Sequence, residues 1–148
     1  MTKPRLAVRA IILQNNRLLM VNAWPEGKSD LWCAPGGGVE PHASLPDNLI
    51  REVAEETGLR IAVGAPCLVN EFHESERGFH QVDIYFRARL LSAPQTGPLT
   101  DPAGVVDRMA WVAQDEMPGY RVKPDSLAAV AWGDDTAPLY DPLEPLVR

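Results

Sequence analysis

Residues 36–59 read GGGVEPHASLPDNLIREVAEETGL, and the reading of this stretch decides the fold. The three glycines predict a tight turn whose bare backbone can approach a metal or a phosphate. Ser44 is placed to cap a helix, with Pro46 and Asp47 suited to its first turn. Leu45, Leu49, Ile50, Val53 and Ala54 recur at helical spacing and predict a buried stripe, and Gly58 supplies a left-handed stop. At about 100° per residue, Glu52, Glu55 and Glu56 fall in one narrow sector of that helix. Like charges so spaced weaken a helix by roughly 0.2–0.5 kcal/mol per pair, so a cation is expected over them. Mg2+ suits such oxygen donors. The competing reading is a solvated face on which Arg51 pairs with Glu55.

The longer pattern resembles the box of the Nudix hydrolase family. Gly37 stands at its opening glycine, and Arg51, Glu52, Val53, Glu55, Glu56, Gly58 and Leu59 match its far end in register. One defined position departs: Ala43 stands where the family has a glutamate, and His42 stands where a glycine is usual. The resemblance implies an α/β fold, an α/β/α sandwich with a mixed sheet. It also implies Mg2+-dependent hydrolysis of a nucleoside diphosphate linked to another group, by attack of water on phosphorus, with Mn2+ as a substitute ion. Glu52, Glu55, Glu56 and the Gly37 carbonyl are the implied metal contacts. Arg51 is implied to orient Glu52, and Glu52 to take the proton from water. In some relatives the base lies outside the box, so Glu71, Glu74 and Glu76 are further candidates, against a solvated reading of each. In relatives the glutamate missing here supports the box arginine and the metal shell. Its absence leaves an alternative: a nucleotide-binding or regulatory module with little hydrolysis.

With 148 residues the chain is expected to form a single domain, and its 45% apolar content suits a globular core. A net charge of -6 argues against general nucleic-acid binding or docking on an anionic membrane. A small nucleotide-type diphosphate remains compatible if a metal and a few arginines share one cleft. Cys33 and Cys67 form neither a metal-ligand spacing nor a disulfide framework, so free thiols and a reducing compartment are expected. The first residues alternate apolar with charged, which suits neither a signal peptide nor a membrane span. A cytoplasmic location is therefore expected.

Upstream of the box, alternation from Leu6 to Ile12 and an apolar run from Arg17 to Ala23, joined by Gln14-Asn15-Asn16, predict two strands. A polar loop over 24–30 and a short strand from Leu31 follow. Downstream, strands are predicted over 61–63, 66–72 and 81–91, with an exposed tip HESERGF between the last two. In the last strand Val82, Ile84, Phe86, Ala88 and Leu90 alternate with a polar face of Gln81, Asp83, Tyr85, Arg87 and Arg89. A proline-rich connector over 92–106, a strand over 109–112 and a helix over 127–132 complete the body. Residues 134–148 read as an extended tail docked on the body or, in a homodimer, on a second copy. Arg5, Arg9, Arg77 and Arg87 are candidates to hold a phosphate, and Trp24, Trp32 and Phe79 to stack on a base. His73 and His80 flank the tip, where a surface role is the commoner one.

Overall fold

The computed structural model describes residues 3–25, 27–91, 105–134 and 137–148. Most of the connector predicted over 92–106 lies outside them. Among the described residues, ten strands and two α-helices follow in the order β1 (Arg5–Gln14), β2 (Arg17–Asn22), β3 (Leu31–Cys33), β4 (Gly36–Gly38), α1 (Leu45–Thr57), β5 (Ile61–Glu74), β6 (Phe79–Leu90), β7 (Met109–Ala113), β8 (Arg121–Val122), α2 (Leu127–Ala131), β9 (Leu139–Tyr140) and β10 (Glu144–Pro145). None of the described helices is long and apolar enough to cross a membrane.

β1 joins the two halves of the sheet. Along most of its length it pairs in parallel with β6, from Arg5 opposite Gln81 to Ile12 opposite Ala88. Its other edge takes β4 first, from Ala7 opposite Gly38 to Arg9 opposite Gly36, and then β2, with Leu13 opposite Leu18. β2 carries β3 and β7, while β5 flanks β6. Asn15 and Asn16 both adopt positive φ, which makes the β1–β2 link the tight Asn-rich turn that the residues suggest.

Helices cover both faces. On one, Val8, Ala10 and Ile12 pack with Leu49 and Val53 of α1, Leu59, Ile61 and Phe86. On the other, Ile11, Leu18, Met20, Leu68 and Tyr85 pack with Leu127, Val130 and Ala131 of α2. The result is an α/β sandwich around a mixed, curled sheet.

α1 begins where its cap residue stands: Ser44 Oγ accepts from Asp47 N at 3.1 Å, a contact worth about 1 kcal/mol. It ends at Gly58, whose φ of 73° and N–H bond to Ala54 O close the last turn. Its buried stripe differs from the predicted one. Ile50 is 40% exposed and Ala54 is exposed, while Asn48, Glu56 and Thr57 are buried beside Leu49 and Val53. The helix lies against β4 as well as β1 and β5, so its face rotates toward the glycine strand.

Other boundaries also differ. The glycine triplet is a strand, because its backbone pairs with β1 instead of reversing direction. The two runs predicted over 61–63 and 66–72 are one strand with a register shift around Pro66, which has no N–H to give the ladder. In the tail, Leu139 and Tyr140 pair with Leu68 and Val69, and Glu144 and Pro145 with Phe72 and His73. The tail thus covers the outer edge of β5, where unpaired backbone groups would otherwise face solvent.

Candidate active site

The N-terminal half of β1, β4, β6, β5, α1 and the tail enclose a cleft of about 680 Å³. Gly37 is bare for a reason. A Cβ built there would fall 2.3 Å from Glu52 Oε2, so the Glu52 carboxylate occupies the space a side chain would need. One residue earlier, Gly36 N donates to Glu56 Oε1 at 2.9 Å, and a Cβ at Gly36 would meet Val8 O at 1.9 Å. Two helix carboxylates thus converge on a strand that only glycine can build. Glu55 does not join them. Its side chain is 40% exposed, it lies outside the cleft lining, and it faces Arg51 at 3.4 Å.

Arg51 stands behind Glu52. Its Nη1 donates to Glu52 Oε1 at 3.0 Å, its Nη2 to Asn48 Oδ1 at 2.9 Å, and its Nε lies 3.9 Å from Glu40 Oε2. Partial burial works against the charge, but the bond to Glu52 and the charges of Glu52, Glu40 and Glu55 together outweigh it and hold the guanidinium proton more firmly than usual.

The cleft floor is the polar face of β6. Gln81, Asp83 and Tyr85 are buried, at 3%, 3% and 2% exposure, so this face looks into the cleft and not into solvent. Arg9 Nε lies 3.4 Å from Asp83 Oδ2, and its Nη1 donates to Ala34 O at 3.2 Å. Burial opposes the Arg9 charge, but the neighbouring acids, Asp83 foremost, together outweigh it, so this cation is permanent. Gln81 Nε2 donates to Asp83 Oδ1 at 2.7 Å, and Gln81 Oε1 accepts from Arg5 Nη1 at 2.8 Å. Among the described residues the side-chain partner of Arg5 is this neutral amide, so its charge faces the cleft beside Gln81. Beside Arg9, burial pushes the Cys33 thiol up to about 11.

The remaining candidates divide. Trp24, Phe79, Glu74 and Arg77 line the cleft together with Phe72, whose ring lies 6.0 Å from that of Phe79. Glu71 points away from it: Tyr140 OH donates to Glu71 Oε2, and His80 Nε2 lies 3.1 Å from Oε1. These contacts, Tyr140 first, hold the Glu71 carboxyl below the usual range. Glu74 takes a two-pronged contact from Arg148 at 3.2 and 2.9 Å, which likewise holds its carboxyl low. Trp24 is covered by its own chain, with the Arg148 guanidinium 5.6 Å from its ring centre and its Nε1 donating to Val147 O at 3.3 Å. Glu76, Arg87, Trp32, His73 and His80 lie outside the lining. Sequence reasoning missed Asp83, Gln81, Asn48 and the tail's Arg148. The alternation in β6 displayed the first two, but nothing local says which way that face points.

The donor set suits Mg2+, which takes one or two carboxylates, keeps several waters and leaves positions for substrate phosphates. Glu52 and Glu56, with the backbone at Gly37, are such a set, and the side-chain space taken from Gly37 serves it. Among the described residues no three His, Cys, Asp or Glu side chains form a ready-made cage.

A curled mixed sheet between helices, with helix carboxylates laid on a glycine strand, defines the class of fold and site. A sequence profile described as NUDIX domain matches residues 3–132, and the chain belongs to that family. It is 28% identical over 81 residues to the Homo sapiens protein named Nucleoside diphosphate-linked moiety X motif 6, covering 55% of this chain and 26% of that protein. The chain thus spans about a quarter of that relative's length. Among solved structures, the MutT NUDIX hydrolase from Burkholderia pseudomallei aligns with a TM-score of 0.73 at 21% identity, covering 88% of this chain and 99% of that one. A UDP-X diphosphatase aligns with a TM-score of 0.70 at 20% identity, covering 97% of this chain and 68% of that one. Both share the fold.

Proposed function

We propose that this chain is a Mg2+-dependent pyrophosphohydrolase that cleaves a nucleoside diphosphate linked to another group by attack of water on phosphorus. The observation that carries this reading is the Glu52 carboxylate seated against Gly37, with Glu56 bonded to the next backbone amide, at the edge of a cleft floored by Arg9.

Glu52, Glu56 and the Gly37 carbonyl would hold the ion, with Mn2+ as a substitute, while Glu55 stays paired with Arg51 outside the cleft lining. When bound there, such an ion would neutralise phosphate oxygens and acidify a water. The protein's own groups do the rest. Glu52 accepts the proton of the attacking water, and Arg51 keeps its carboxylate oriented. Arg9 supplies a fixed positive charge that Asp83 holds in place, and Arg5, bonded to the neutral amide of Gln81, adds a second. Trp24, Phe72 and Phe79 border the space left for the linked group. The free thiols of Cys33 and Cys67 fit a reducing, cytoplasmic setting.

The test is release of monophosphate from a panel of nucleotide sugars, ADP-ribose, dinucleoside polyphosphates and nucleoside triphosphates, with Mg2+ or Mn2+. Glu52→Gln is expected to lower turnover at least about 100-fold. Absence of metal-dependent turnover across the panel would overturn the proposal.

A further inference from the structure

Asn48 is 1% exposed and lies outside the cleft lining, yet its side-chain amide makes five hydrogen bonds among the described residues. Its Oδ1 accepts from Glu40 N and from Arg51 Nη2, both at 2.9 Å. Its Nδ2 faces the carbonyls of Glu40, Ala43 and Ser44 at 3.3, 3.2 and 2.9 Å. This arrangement admits one orientation of the amide. Turned over, it would set N–H against N–H on one side and oxygen against three carbonyls on the other. The backbone of residues 40–44 therefore dictates where Oδ1 points, and Oδ1 dictates where Arg51 sits.

The consequence passes to Glu52. With Nη2 tied to Asn48, Arg51 presents Nη1 to Glu52 Oε1 at 3.0 Å, which leaves Oε2 against Gly37. The other acceptors near Arg51 are Glu55 and Glu40, whose side chains are 40% and 70% exposed. Released from Asn48, the guanidinium would follow these outward and cease to brace Glu52. Ala43 offers Arg51 no side-chain acceptor, and its carbonyl is itself bound by Asn48.

We propose that Asn48 is a positioning residue that aims the Glu52 carboxylate at Gly37 by anchoring Arg51. The inference deepens the metal-dependent reading above and rests on it.

Two variants of the full chain separate aiming from stabilising. Asn48→Asp keeps an oxygen for Arg51 but loses the amide donors, and Asn48→Ala loses both. The readouts are the Mn2+ dissociation constant, from the electron paramagnetic resonance signal of the free ion, and thermal melting in chelator. Both variants are expected to melt below the wild type. Asn48→Ala is expected to weaken Mn2+ binding about tenfold, while Asn48→Asp stays within about threefold or binds tighter. Unchanged Mn2+ affinity in Asn48→Ala, or equal weakening in both variants, would overturn the proposal. If Asn48→Ala does not fold, Asn48→Asp decides alone: near-native affinity at reduced melting temperature supports the inference, and a tenfold loss overturns it. A wild type that binds no Mn2+ would instead overturn the metal-dependent reading, and this inference with it.

Discussion

Gly37 and Glu52 share one volume: the space that a side chain on the glycine would fill, 2.3 Å from Glu52 Oε2, is where the carboxylate rests. Gly37→Ala is therefore expected to displace Glu52 and weaken Mn2+ binding at least about tenfold, with turnover falling in parallel. Gly38→Ala is the control. There the nearest atom is the far end of Arg5, at 2.7 Å, which can swing aside, so Mn2+ affinity should hold while substrate KM rises. Equal Mn2+ binding by wild type and Gly37→Ala would remove Gly37 from the site.

Asp83 balances a buried cation. Breaking such a pair by removing one partner costs more than the pair contributes, because a charge is left without compensation. Arg9 retains 18% side-chain exposure, so Asp83→Asn is expected to destabilise the chain by about 1–3 kcal/mol in urea unfolding. Arg9→Met with Asp83→Leu should recover much of that loss and still fail in turnover. A fully stable Asp83→Asn would show that water compensates Arg9.

Cys33 should be slow to react. With its thiol pushed up to about 11 by burial, thiolate is scarce at pH 8, so alkylation in a Cys67→Ser background should run about 100-fold slower than for an ordinary cysteine. The sign for stability follows. An acid whose folded value lies above its unfolded one loses its proton first in the unfolded chain. Cys33 therefore leaves stability untouched below about pH 9 and lowers it between about pH 9 and 11. Cys33→Ser should flatten that alkaline fall.

The tail should leave its edge in acid. Glu71 and Glu74 are both held below the usual carboxylate range, by Tyr140 and Arg148 respectively. A depressed carboxylate contributes its contact above the unfolded value and loses it as pH falls through the folded one, so docking should persist at neutral pH and fail only once pH falls below the usual carboxylate range. Trp24, covered by Arg148 and bonded to Val147 O, reports the release. A fluorescence change below the usual carboxylate range that is absent in Trp24→Phe is expected, and protease cleavage in the tail should rise over the same range.

The sequence by itself determined α1, its Ser44 cap, its Gly58 stop and the alignment of Glu52 and Glu56, because helix periodicity and capping act over a few residues. The Asn15–Asn16 turn was legible for the same reason. Tertiary structure alone decided the rest of the site. It turned the polar face of β6 inward by pairing Arg5 with Gln81, 76 residues away. It rolled α1 onto β4, which buried Asn48 and Glu56 and left Glu55 at the rim. It also laid residues 139–148 along β5, bringing Arg148 to Glu74 and Trp24. Those contacts join segments whose patterns say which residues share a face but not which neighbour the face meets, and packing the two halves of the sheet makes that choice.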